Sequence, residues 1–165
     1  MRRLFPNRDM TAATKGMGRT VQLAALAWRV RPDVGLELLL VTSRTNKRWL
    51  LPKGWPIAGK SDLQSALQEA YEEAGIRGKA ASKPLGSYGF TKLLRDETAL
   101  ACTMVVYGLG EIEELAEWPE MAERERAWFV QADAIEAVFD PNLGRFLGSL
   151  RVRGSKLLCD QAMAA

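Results

Sequence analysis

The segment between Pro52 and Ile76 constrains this chain more than any other. Pro52, Gly54, Pro56 and Gly59 follow one another too closely for a regular element of any length, because proline lacks an amide donor and glycine loses the most backbone entropy on ordering. An irregular loop is expected there. Ser61 then makes a good N-cap, Gln64 stands three residues on as in a capping box, and Gly75 supplies a left-handed stop, so a helix is predicted from about Asp62 to Ala74. Any fold for this chain must set a proline- and glycine-rich loop directly against one short, well-bounded helix.

Apolar runs lie on both sides of that unit. Residues 20–30 (TVQLAALAWRV) and 36–44 (LELLLVTSR) flank Pro32, Asp33 and Gly35 and read as a strand hairpin, followed by a short apolar piece at residues 49–51. Residues 84–94 and 98–109 read as two further strands joined by Arg95, Asp96 and Glu97. An acidic stretch ending near Pro119 leads to a strand at residues 127–130 and then to helical segments at 132–139 and 142–162. No repeat or low-complexity segment interrupts this order. Strands, helix, strands, helix predicts an α/β fold, a mixed sheet packed between helices.

A chain of 165 residues with 47% hydrophobic and 26% charged residues fits one domain, expected over residues 20–165. Residues 1–19 carry Arg2, Arg3, Arg8, Lys15 and Arg19 against Asp9, which exceeds the net charge of +3 for the whole chain, so the body is close to neutral. That segment reads as a basic, flexible tail without an apolar signal region, and nucleic acid is not expected as the main partner. Histidine is absent, which removes serine–histidine triads and imidazole-ligated metals. Two cysteines are too few for a disulfide framework or a structural zinc site, and no apolar run approaches the roughly 20 residues that span a bilayer. A cytoplasmic protein without membrane insertion is expected; oligomeric state is left open.

On a helical wheel of about 100° per residue, Leu63, Ala66, Leu67, Ala70 and Ala74 share one sector that must face the core. Glu69, Glu72 and Glu73 share the adjoining flank, where like charges three and four residues apart cost roughly 0.2–0.5 kcal/mol per pair. Glu72 and Glu73 also occupy the last turn, at the negative end of the helix dipole. Two rules of helix stability are broken at one place, which is where a functional site is expected. A divalent cation would turn the repulsion into coordination, and hard carboxylate oxygens without sulfur or imidazole favour Mg2+, with Mn2+ the alternative. An acidic helix face of this kind is commonly no more than solvated surface, so the loop before it matters.

The loop and helix together resemble the Nudix box, which runs glycine, five residues, glutamate, seven residues, arginine-glutamate, aliphatic, any, glutamate-glutamate, any, glycine, aliphatic. Gly54, Glu69, Ala70, Glu72, Glu73, Gly75 and Ile76 fall in register, whereas Lys60 stands at the first glutamate and Gln68 at the arginine. The resemblance extends from about residue 20 to 139, and LLLVTSRTNKRWLLPKG and RERAWF are similar to the branch that hydrolyses diphosphoinositol polyphosphates and diadenosine polyphosphates. It implies an α/β/α sandwich and a Mg2+-dependent enzyme that cleaves a phosphoanhydride in a nucleoside diphosphate-linked or polyphosphate small molecule. By that resemblance Glu69 and Glu73 are metal ligands, Glu72 is a third ligand or shared base, and Gly54 offers its carbonyl. Glu97, Glu111, Glu113, Glu114, Glu117, Glu120 and Glu123 are candidates for a loop base with nothing to choose among them.

Arg44, Lys47, Arg48 and Lys53, in or beside the loop, are candidates for substrate phosphate, as are Lys60 as a point charge and Arg126 by resemblance. Trp49, Trp128 and Phe129 read as core. The departures at Lys60 and Gln68 motivate one rival, a catalytically weak nucleotide- or polyphosphate-binding module; the basic tail motivates another, an RNA pyrophosphohydrolase.

Overall fold

The computed structural model describes residues 20–160. The expected first hairpin forms: β1 (Val21–Arg31) and β2 (Gly35–Thr42) pair antiparallel about a turn that closes at Gly35, where φ is +82°. β1 is the spine of the sheet. Its second half pairs with β2, while Val21 to Ala27 pair parallel with the long strand β7 (Ala99–Glu114). Because every other pairing in this sheet is antiparallel, it is mixed, as expected.

Short strands complete it: β3 (Trp49–Leu50) beside β2, β4 (Lys53–Gly54) beside β1, β5 (Ile76–Ala80) and β6 (Gly86–Leu93) beside β7, and β8 (Arg126–Val130) beside β2. Helix α1 (Asp62–Ala74) covers one face. On the other lie α2 (Gln131–Ala137), α3 (Pro141–Gly148) and a separate hairpin of β9 (Leu150–Arg153) and β10 (Lys156–Cys159). The α/β/α sandwich follows from β1's composition. Ala24 and Leu26 point into the cluster around Phe146 and Leu143 of α3, whereas Ala25 and Ala27 point to Ala70 and Ala74 of α1, so the strand is buried on both faces.

Helix α1 has the predicted bounds. Ser61 Oγ accepts from the Gln64 amide at 3.1 Å and Gln64 Oε1 accepts from the Ser61 amide at 2.8 Å, closing the capping box. Gly75 adopts φ +62°, and a Cβ there would also strike the Trp118 ring at 2.5 Å.

Three expectations fail. The residues after Gly75 form strand β5, which is too polar to show a strand pattern because only Ile76 along it is buried; it is held by pairing with the far end of β7, and that end runs into the acidic stretch as far as Glu114. The helix expected over 142–162 stops at Gly148. Leu143, Phe146, Leu147 and Leu150 keep helical spacing, but Gly154, at φ +61°, turns the chain into the β9–β10 hairpin. Within the irregular loop, Lys53 and Gly54 pair with Ala24 and Leu23, so the loop is anchored to the spine.

Among the described residues no helix is long and apolar enough to cross a membrane.

Candidate active site

The loop is sewn to both the sheet and the helix. The Ala25 amide donates to the Pro52 carbonyl at 3.1 Å, and the Ile57 amide donates to Oγ of the fully buried Ser65 at 3.0 Å. This lays Lys53 and Gly54 along the flank of α1. A Cβ at Gly54 would overlap the Glu69 carboxylate, so close approach, rather than an unusual φ, is what demands glycine there.

Glu69 and Glu73 are buried, at 8% and 7% exposure, and Glu72 is half-buried. Glu73 Oε2 accepts the Lys53 amide at 3.2 Å, and its Oε1 takes Nη2 of Arg124 at 3.1 Å. Burial pushes the Glu73 carboxyl up to about 7, against the pull of Arg124 and Lys53 in the other direction. Glu72 accepts Nε2 of Gln68 at 2.8 Å. The donors are therefore splayed: among the described residues no three carboxylate, thiol or imidazole groups form a ready-made cage. The donor set still fits a hard cation, since Mg2+ is commonly held by one or two carboxylates together with water and substrate phosphate. The Gly54 cradle against Glu69 is the observation of fit.

Arg124 was missed by the sequence reading. Its side chain is 7% exposed and donates to Glu73, to Glu120 Oε1 at 3.3 Å and to the Thr42 carbonyl at 3.0 Å. A guanidinium thus reaches Glu73 of the box from the segment before β8, although Gln68 stands where the box has its arginine on the helix itself. The available signal was RERAWF, in which two arginines compete for one role, and resemblance selected the other one.

That other arginine, Arg126, is the clearest correction. Expected at substrate phosphate, it instead donates to the carbonyls of Ala74, Gly75 and Leu115 at 2.9, 3.0 and 2.8 Å, with its guanidinium 4.0 Å from the Trp118 ring centre. It caps the C-terminal end of α1, supplying the cation that the helix dipole requires there and offsetting Glu72 and Glu73. Trp118 adds Nε1 on the Glu73 carbonyl at 3.2 Å.

The remaining cations divide. Lys53 stands beside Glu73 and Glu69, where burial pushes its ammonium below the ordinary 10.5 while Glu73 pulls it back up. Arg44 lies 3.6 Å from both Glu120 and Glu123, and Lys47 donates to the Glu123 carbonyl at 2.7 Å, so these two tie the 43–48 loop to the acidic segment. Arg48 covers the Phe139 ring at 3.6 Å. Lys60 is exposed, beside a shallow depression shared with Gln68, Tyr71 and Arg77. Of the loop carboxylates, Glu120 is drawn to Glu73 through their shared Arg124, whereas Glu111 pairs with Lys79, Glu114 with Arg126 and Glu123 with Arg44. Glu97 sits in the β6–β7 turn. Trp49 packs edge-on to Phe129 at 4.9 Å, and both lie against the core.

A mixed sheet between helices, with a glycine-containing loop feeding a glutamate-bearing helix, defines the class as a three-layer α/β/α fold. No protein-family model matches the chain. Over 155 residues it is 30% identical to diphosphoinositol polyphosphate phosphohydrolase 3-beta of Homo sapiens, a match covering 91% of this chain and 88% of that one. It is 36% identical over 104 residues to Nudix hydrolase 12, mitochondrial, of Arabidopsis thaliana, covering 61% of this chain and 51% of the relative. The chain spans about half the length of that protein and of Nudix hydrolase 13, mitochondrial, from the same plant. Among solved structures, a C. elegans Ap4A hydrolase in a binary complex matches with a TM-score of 0.56 at 17% identity, over 78% of this chain and 93% of that one. The MutT protein of Bacillus halodurans matches at 0.58 and 19%, over 78% and 79%, and these two show the shared fold. The chain belongs to the Nudix hydrolase family.

Proposed function

We propose that this protein is a Mg2+-dependent pyrophosphohydrolase that cleaves a phosphoanhydride in a dinucleoside polyphosphate, a nucleoside diphosphate derivative or a diphosphoinositol polyphosphate. The observation that carries the reading is the approach of the Gly54 backbone to the Glu69 carboxylate, in a space that no other residue could share. Glu69 and Glu73, with the Gly54 carbonyl, would hold the cation, and Glu72 serves as third ligand or base. When bound, the cation screens the phosphate charge and lowers the pKa of a coordinated water. The chain's own residues do the rest. Lys53 presents its amide to Glu73 and places its charge close enough to feel Glu73 and Glu69, Arg124 holds Glu73 in place, and Gln68 orients Glu72 with one hydrogen bond from its uncharged amide. A buried glutamate pushed to about 7 gains most when a cation takes over its charge, which couples metal binding to deprotonation.

The single domain is proposed to comprise residues 20–165, with 1–19 as an appended tail. The free thiols of Cys102 and Cys159 suit a reducing compartment, and a cytoplasmic setting is proposed on that ground. Phosphate release from a substrate panel, with Mg2+ and then with EDTA, tests the hydrolytic reading; no turnover of any phosphoanhydride at millimolar Mg2+ would refute it. The splayed carboxylates favour the second reading, a binding module of weak activity. That reading requires ligand binding without turnover in the same assay.

A further inference from the structure

Lys60 and Gln68, the two positions at which this chain departs from the box, line the same place. A shallow depression of about 420 Å3 lies along the outer flank of α1, with Lys60, Gln64, Leu67, Gln68, Tyr71 and Arg77 around it. Gln64, Leu67, Gln68 and Tyr71 repeat at helical spacing and form one stripe about 10 Å long, at a rise of about 1.5 Å per residue. Lys60 stands before the first turn of the helix and Arg77 after its last. No carboxylate lines the depression. Among the described residues neither cation forms an ion pair, although Glu113 stands opposite Arg77 on β7. Arg77 lies instead 5.3 Å from the centre of the Tyr71 ring. Where the box carries a glutamate and an arginine, whose charges cancel, this chain carries a lysine and an amide, which leaves the flank positive. Gln68 belongs to both sides of the helix edge: it lines the depression while its Nε2 donates to Glu72 at 2.8 Å.

We propose that this flank of α1 is a second anion site, for a molecule bearing two or more phosphate groups, with Lys60 and Arg77 at its ends and Gln64, Gln68 and Tyr71 as uncharged donors between them. The spacing selects the ligand. A single phosphate meets one end or the other, and a second one is needed to engage both cations. The amides and the phenol donate to phosphate oxygens without adding charge, and the guanidinium can grip two oxygens at once where the ammonium acts as a point charge. Such a molecule has two sources. One is the substrate itself, whose phosphates beyond the cleaved bond would pass over Gln68 from the metal face; the other is a separate polyphosphate. The first source rests on the hydrolytic reading above, whereas the site does not.

The test is calorimetric titration of inorganic tripolyphosphate, and separately of orthophosphate, into the full chain in EDTA, so that no metal bridges the anion to the glutamates. Tripolyphosphate is expected to bind, more weakly as salt rises, and orthophosphate to bind at least about tenfold less tightly. Lys60→Ala and Arg77→Ala should each weaken tripolyphosphate about fivefold and together about twentyfold, as for separated exposed charges. Lys60→Glu, which restores the residue of the box, should weaken it further, and Lys60→Arg should retain it. Both side chains are exposed, so the thermal midpoints of the variants stay with that of the parent. No tripolyphosphate binding, or binding that the double variant leaves unchanged, overturns the proposal. With the site upheld, a KM that rises in the double variant in parallel with the tripolyphosphate constant assigns it to the substrate's own phosphates, and a KM that does not follow assigns it to a separate polyphosphate. Tripolyphosphate binding through Lys60 and Arg77 in a protein that cleaves no phosphoanhydride would uphold the site and refute hydrolysis; cleavage by a protein that ignores tripolyphosphate would do the reverse.

Discussion

Glu73→Gln separates what the buried carboxylate does for stability from what it does for function. A carboxyl moved from the ordinary 4.5 to about 7 has its ionised form disfavoured in the folded chain, by about 1.4 kcal/mol for each tenfold change, or about 3 kcal/mol in all. Since the folded value is raised above the unfolded one, the associated stability is fully present below the unfolded value and is lost as pH rises through about 7. Glutamine matches the neutral acid in size. Without divalent metal, the variant should therefore equal the parent near pH 4.5 and exceed it by up to about 3 kcal/mol near pH 8. Arg124 is not orphaned by the change, because Glu120 and the Thr42 carbonyl still accept from it. Urea denaturation in EDTA at both pH values reads this directly: at roughly 2 kcal/mol per molar urea, the midpoint near pH 8 moves up by about 1.5 M. Adding Mg2+ should reverse the ranking, because ligand binding to the folded state stabilises the parent and not the variant. A variant less stable than the parent at both pH values, or one that gains as much from Mg2+, would refute the reasoning, and so would undiminished turnover.

Arg124→Ala leaves Glu73 and Glu120 without their shared cation and should destabilise the chain by about 3 kcal/mol near pH 8, less where Glu73 is protonated, as measured by thermal or urea unfolding across pH. Gly54→Ala drives a methyl group into the Glu69 carboxylate; turnover should fall at least about a hundredfold while far-ultraviolet circular dichroism stays unchanged, as expected of a displaced first-line carboxylate. Ser61→Ala removes the N-cap of α1 and should cost about 1 kcal/mol, measured by urea unfolding, with no change in Mg2+ affinity. Removing residues 1–19 should leave both phosphate release and RNA binding unaltered; RNA binding with a steep salt dependence that vanishes on truncation would instead favour the RNA-processing reading.

The sequence by itself determined the local unit at the centre of this protein. The capping box, the Gly75 stop, the helix between them and the first hairpin are written in neighbouring residues and needed no distant partner. The register of Gly54 with Glu69, Glu72 and Glu73 was equally legible, because it is a matter of spacing along one helix and its loop. Strand β5 was not, since a strand exposed over most of its length is held by the partner it pairs with and not by its own pattern. The hairpin after α3 was hidden for the opposite reason: Leu150 continues a helical spacing beyond Gly148, where the helix ends, and Gly154 then turns the chain back on itself. Tertiary structure alone decided which arginine serves the glutamates. Arg124 and Arg126 are two residues apart at the start of β8, and the geometry of the helix end sends one guanidinium to the buried Glu73 and the half-buried Glu120 and the other to three backbone carbonyls. Charge type and spacing are properties of a chain, but the choice of partner for a long cationic side chain belongs to the fold.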